Sequence, residues 1–132
     1  MTGADPQTAG ALSAAISTAV VHMLAERTGK GPTRAKTTIG ENGVFVVLGD
    51  SLTKGERTLA KAGEQAAVLD IRKRWQHVMR VEMTSKVEEL TGRRVVGFMS
   101  DSHIDPDLAV EVFVLEPIAR DGDQPAVVGG RP

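Results

Sequence analysis

Cysteine and tyrosine are absent from the 132-residue chain, and its aromatic residues are limited to Phe45, Trp75, Phe98 and Phe113. Without a thiol there is no disulfide, thiolate zinc site, iron–sulfur cluster or cysteine nucleophile. So few rings, so far apart, make no platform for stacked bases, which removes the usual device of single-strand nucleic-acid binding. An excess of either charge is missing too: 16 Lys and Arg stand against 17 Asp and Glu, a formal net charge of −1. No global basic field holds nucleic acid or anionic lipid, so any such contact has to be local. The run from Pro6 to Ala25 has no charged residue, but Gln7, Thr8, Gly10, Ser13, Ser17, Thr18 and His22 make it too polar to cross hydrocarbon cheaply. Only Asp5 offers a charge ahead of it, where a signal peptide needs a basic start. The chain is therefore read as soluble and cytoplasmic.

The composition that is present, 41% hydrophobic and 25% charged, is ordinary globular usage, and the length suits one domain. Leu12, Ile16, Ala19, Val20, Met23 and Arg27 recur at three- and four-residue spacing, which predicts an amphipathic helix ending near Thr28 and Gly29. Thr37 to Glu41 and Val44 to Leu48 flank Asn42-Gly43, a two-residue hairpin signal. Thr53 and Glu56 have capping-box spacing and open a short helix that closes near Gly63. Val68, Ile71, Trp75, Met79, Met83, Val87 and Leu90 mark one face of a longer helix from about Glu64 to Thr91, stopped by Gly92. Arg94 to Ser100 and Leu108 to Leu115 form a second hairpin across a turn rich in aspartate.

The expected fold is α+β: a four-stranded sheet from two β-hairpins with helices on one face, in the order α-β-β-α-α-β-β. Residues 8–116 make the single domain, between flexible tails over 1–7 and 117–132. Strand order is left open. In Val44 to Leu48 and Leu108 to Leu115, apolar residues take both parities: Val110, Val112 and Val114 on one face, Phe113 and Leu115 on the other, interrupted by Glu111. Helices on one side only would leave the second apolar face in water, so a homodimer or higher homo-oligomer is expected, unless the long helix and the tails cover both faces.

Two segments carry candidate chemistry. Arg27, Lys30, Arg34 and Lys36 put four cations and no acid into ten residues, among glycines, a proline and Thr33. That suits a phosphate, carboxylate or bicarbonate-sized anion, or an acidic partner; a solvated helix exit with cations on the C-terminal dipole is the plainer explanation. The spacing is no Walker loop. Asp101, His103, Asp105, Asp107 and Glu111 gather around the second turn, where His103 could act as a proton acceptor oriented by a carboxylate. Ordinary turn chemistry explains them as well, and a metal site is not assigned, because the glycine of a calcium loop is missing. Arg72, Lys73 and Arg74, with a Glu82–Lys86 pair, read as a solvated helix face, His22 and His77 as packing or surface residues, and Ser51 as a capping serine. No cofactor is implied.

Gly29-Lys-Gly-Pro-Thr-Arg-Ala-Lys36, Leu52-Thr-Lys-Gly-Glu-Arg-Thr-Leu59, Glu89-Leu-Thr-Gly-Arg-Arg-Val-Val96 and Asp105-Pro-Asp-Leu-Ala-Val-Glu-Val-Phe-Val-Leu115 occur in this order, and over roughly Ala9 to Pro117 the chain resembles the MpsC-type family. The resemblance implies a soluble accessory component of a bacterial sodium-linked, membrane-potential-generating system associated with inorganic carbon uptake. It implies no catalytic residues. A membrane span would have to come from a separate transporter subunit. The leading expectation is a binding or regulatory protein that contacts an anion or partner through Lys30, Arg34 and Lys36. The alternatives are a nucleic-acid module using the basic 27–36 segment, disfavoured by the net charge and the missing rings, and an enzyme centred on His103.

Overall fold

The uncharged run is helical, as its spacing requires: α1 covers Pro6–Thr28 in the computed structural model, which describes residues 6–118 and the side chains from 8 onward. Gly29, at φ 82°, supplies the left-handed residue that ends it. The strands β1 (Arg34–Ile39) and β2 (Gly43–Gly49) follow, then α2 (Lys54–Lys61), α3 (Gln65–Thr91), β3 (Val95–His103) and β4 (Leu108–Leu115). This is the expected α+β order. Of the tails expected over 1–7 and 117–132, the first gives way to α1 at Pro6, and residues 1–5 and 119–132 lie outside the described part.

All pairings are antiparallel, and the strand order is β1-β2-β4-β3. The two strands that are apolar at both parities, β2 and β4, occupy the centre, and the more polar β1 and β3 form the edges. Burial of both edges of a strand's ladder favours this, since a central strand loses its water contacts on either side. One face is covered. Ile16, Val20, Met23 and Leu24 of α1 and Met79, Met83 and Val87 of α3 close over Val44, Val46, Leu48, Phe113 and Leu115. The Phe98 and Phe113 rings meet at 5.1 Å between centroids, tilted by 45°. Ser17 Oγ and Thr37 Oγ1, 2.7 Å apart, join α1 to β1, and Arg27 donates to both oxygens of Glu82 at 3.1 Å, joining α1 to α3.

Four local expectations are corrected. Thr8–Thr28 is, by length and composition, apolar enough to cross a membrane despite its polar residues, because alanine, valine, isoleucine and leucine outweigh them. Here its apolar stripe packs on the sheet. The first hairpin turns one residue early: Gly40 N–H donates to Gly43 O at 2.8 Å, which leaves Glu41 and Asn42 as the linking pair. The neighbouring strand imposes this register, since Gly43 already faces Val114 and Asn42 O accepts from Leu115 N–H at 2.9 Å. β3 runs on to His103, three residues past the expected end at Ser100, because each added residue finds a partner on β4 as far as His103 opposite Leu108. Glu82 pairs with Arg27 and Lys86 with Glu89, so the expected Glu82–Lys86 pair gives way to a bidentate partner on another helix.

Gly43 is needed for close approach, not for an unusual φ. A Cβ there would lie 3.0 Å from the Phe113 carbonyl oxygen and 3.2 Å from the Phe45 ring. Gly43→Ala is expected to destabilise the protein by about 1–3 kcal/mol, read from urea denaturation, because the atom in the way is backbone of the central strand.

Candidate functional site

The loop from β2 to α2 starts at Asp50, whose backbone is left-handed at φ 58°. Aspartate tolerates that conformation better than most residues. Its side chain becomes a hub: Oδ2 accepts from Thr33 Oγ1 at 2.8 Å and from Lys30 Nζ at 3.4 Å, and Oδ1 accepts from Arg57 at 3.1 Å. The Thr33 hydroxyl, with Lys30 and Arg57, holds the Asp50 carboxyl below the usual carboxylate range against the opposing effect of desolvation. Across the loop, Asp107 ties the second hairpin to the first: its carboxylate accepts from Ser51 N–H at 3.0 Å and Leu52 N–H at 3.1 Å. Thr53 then caps α2, its hydroxyl taking the Glu56 N–H while Glu56 Oε1 takes the Thr53 N–H.

Arg72 lies beneath this loop, 6% exposed. It donates to Ser51 O at 3.3 Å, Ser51 Oγ at 2.8 Å, Glu56 Oε1 at 3.3 Å and Ser102 Oγ at 3.5 Å. The expectation of a solvated Arg72–Arg74 face fails at Arg72, because it stands four residues after Val68 on the buried stripe that continues through Met79 and Met83. Lys73 and Arg74 are exposed as expected, and Arg74 pairs with Asp70. Ser51 is not the cap; Thr53 is, and the Ser51 hydroxyl serves Arg72. Beside this cluster Glu111 of β4 is 4% exposed, and its Oε1 has no hydrogen-bond partner. Burial pushes its carboxyl up to about 7, with Ser100 and the Arg72 cation pulling the other way.

Above the Arg72 cluster opens a cleft of about 440 Å³ between α2 and the second turn, with Leu52, Ala60 and Ile104 as apolar wall and Arg34, Arg57, Lys61, Asp50, Asp105 and Asp107 as charged lining. Parts of both candidate segments meet here: Arg34 from the basic block, Asp105 and Asp107 from the turn. The remaining members go elsewhere. Arg27 is bound to Glu82 and Lys30 to Asp50, while Lys36 projects from the uncovered side of β1. Asp101 and His103 sit in β3 on that same uncovered side, beside a second cavity of about 250 Å³. His103 Nδ1 bonds the Pro106 carbonyl at 2.9 Å. Among the described residues no three His, Asp or Glu side chains converge as metal ligands. His22 pairs with Glu26 on the surface, and His77 is exposed. Arg57 falls in the Leu52 to Leu59 block without a role of its own there, and Lys61 lies outside all four sequence blocks; their spacing of four on α2, next to a capping box, is the signal that places them together.

Arg72→Ala removes the cation from a buried pair, leaves the Glu56 carboxylate with the Thr53 N–H but no counter-charge, and takes the arginine donor from the Ser51 carbonyl. A loss of about 3–5 kcal/mol in urea denaturation is expected. Glu111 makes stability depend on pH in the opposite sense to an ordinary ion-paired acid. Below about pH 4.5 it is protonated in both folded and unfolded chains; as pH rises toward about 7 the unfolded chain ionises first. Stability is therefore expected to fall by about 3 kcal/mol over that window and then level off. Glu111→Gln is expected to abolish that fall in a series of urea midpoints against pH.

Comparison with known proteins finds no match among curated proteins and none among solved structures. A family does match: residues 8–117, from the first turns of α1 to just past β4, fit the model described as Na+-translocating membrane potential-generating system (MpsC). The match takes in both candidate segments, the capping box and Arg72, and on that span the chain belongs to the MpsC family.

Proposed function

We propose that this chain is a non-catalytic, cytoplasmic accessory protein of a sodium-linked membrane-potential-generating system, and that it binds an anionic group in the cleft between α2 and the second turn. The family description supplies the physiological setting. The observation that carries the binding reading is the state of the cleft's charges. Of the cleft's three acids, Asp50 and Asp107 are engaged by the protein's own donors, whereas Arg34 and Lys61 line the cleft with no acidic partner among the described residues, so two uncommitted cations stand against one uncommitted acid, the exposed Asp105. Arg57 holds Asp50 from the same side. Cations lining a partly apolar cleft suit a carboxylate, a phosphate or a bicarbonate-sized anion.

Within the basic block the roles divide. Arg34 faces the ligand, Lys30 orders the Asp50 loop, and Arg27 fastens α1 to α3. Lys36 stands apart on the open sheet face. An enzyme reading would centre on His103, which bonds the Pro106 carbonyl and lines a cavity with Asp101, Ser102, Val47, Leu108 and Val110.

Arg34→Ala combined with Lys61→Ala removes two charge-assisted donors from exposed positions. Affinity for phosphate or bicarbonate, read by titration calorimetry, is expected to fall about 100-fold while the melting temperature stays within a few degrees. In cells lacking the native gene, the wild-type chain is expected to restore the sodium-dependent membrane potential reported by a potential-sensitive dye, and the double variant to fail. Full restoration by the variant would remove the cleft from the function.

A further inference from the structure

The uncovered face of the sheet is a grid whose rows follow from the strand register. One row reads Arg34, Gly49, Leu108, His103 from edge to edge; the next Lys36, Val47, Val110, Asp101; the next Thr38, Phe45, Val112, Met99. Phe45, Val47 and Met99 are 42%, 49% and 58% exposed. The centre is thus apolar, the β1 edge carries cations and the β3 edge carries an acid. Among the described residues neither α1 nor α3 covers this side, since their buried residues meet the opposite parity of β2 and β4.

We infer that this face binds a second copy of the chain, face to face, about a two-fold axis that runs parallel to the strands between β2 and β4. Stacked sheets pack about 10 Å apart with strands aligned to within about 30°. Two isologous arrangements meet that condition. An axis lying across the strands sets β1 over β1, cation facing cation, and β3 over β3. An axis along the strands sets β1 over β3, and Lys36 then faces the partner subunit's Asp101 in the same row, twice by symmetry. Like charges brought together oppose association and opposite charges fix register, so the charge pattern selects the second arrangement. The same axis lays Val47 and Val110 over the partner's Val110 and Val47, and Phe45 and Val112 of the adjacent, most apolar row over the partner's Val112 and Phe45. Within one subunit Lys36 and Asp101 are separated by three strand spacings, about 14 Å, too far for them to pair.

Sedimentation velocity at low salt tests this. The wild type is expected to be a dimer at micromolar loading, and Val47→Asp a monomer with unchanged far-ultraviolet circular dichroism. Lys36→Asp and Asp101→Lys are each expected to weaken self-association about tenfold, and an equimolar mixture of the two to recover it as a heterodimer. An axis across the strands predicts no weakening in either single variant, because each edge meets itself before and after the change. A wild type that stays monomeric up to millimolar loading overturns the inference, as does a dimer untouched by Val47→Asp or single charge variants that associate as tightly as wild type.

Discussion

The guanidinium of Arg72 is where the separate parts of the fold are joined. It leaves the buried stripe of α3, reaches the carbonyl and hydroxyl of Ser51 after β2, the carboxylate that completes the cap of α2, and the hydroxyl of Ser102 on β3. An arginine buried this far is tolerable only if its donors are satisfied and its charge is met. Glu56 meets it, and the planar fork reaches several acceptors at once in a way that a lysine cannot. The loop between β2 and α2, which forms one wall of the cleft, is held from below by this cation and from the side by Asp107.

Glu111 shows the cost of putting polar groups in such a place. It projects from β4 on the same side as Phe113 and Leu115, close enough to Arg72 to feel its charge but with one oxygen unpaired. Arg72 is thus shared electrostatically between a direct partner and a distant one. The covered side of the sheet has a small polar cluster set at one end of an otherwise apolar core, and the cleft opens at that same end.

The two faces of the sheet have different physical jobs. The covered face binds the helices and supplies the cooperative core. The open face keeps an apolar centre between oppositely charged edges, an arrangement that costs solvation in an isolated subunit. Both belong to β2 and β4, the central strands, so the feature that makes these strands central also leaves a surface suited to association. The family assignment and the open face are independent observations: one places the chain in a family described by a membrane-potential-generating system, and the other is a property of the sheet's strand register.

Element type was legible in local sequence because it depends on short-range periodicity. The three- and four-residue spacing of α1, the Thr53–Glu56 cap and Gly92 all act within a few residues of themselves. The apolar double parity of β2 and β4 likewise announced an uncovered face. Long-range pairing was not written in that way. The position of the first turn was decided by β4 lying against Gly43, the strand order by packing of the hairpins, and the burial of Arg72 by partners 16 to 30 positions away in the chain. The basic block looked like one site and became several, because an ion pair forms with whatever acid the fold brings near. Residue order determined which elements exist and which faces are greasy; only the tertiary structure decided which charges meet, since Coulomb and hydrogen-bond energies depend on distance in space and not on distance along the chain.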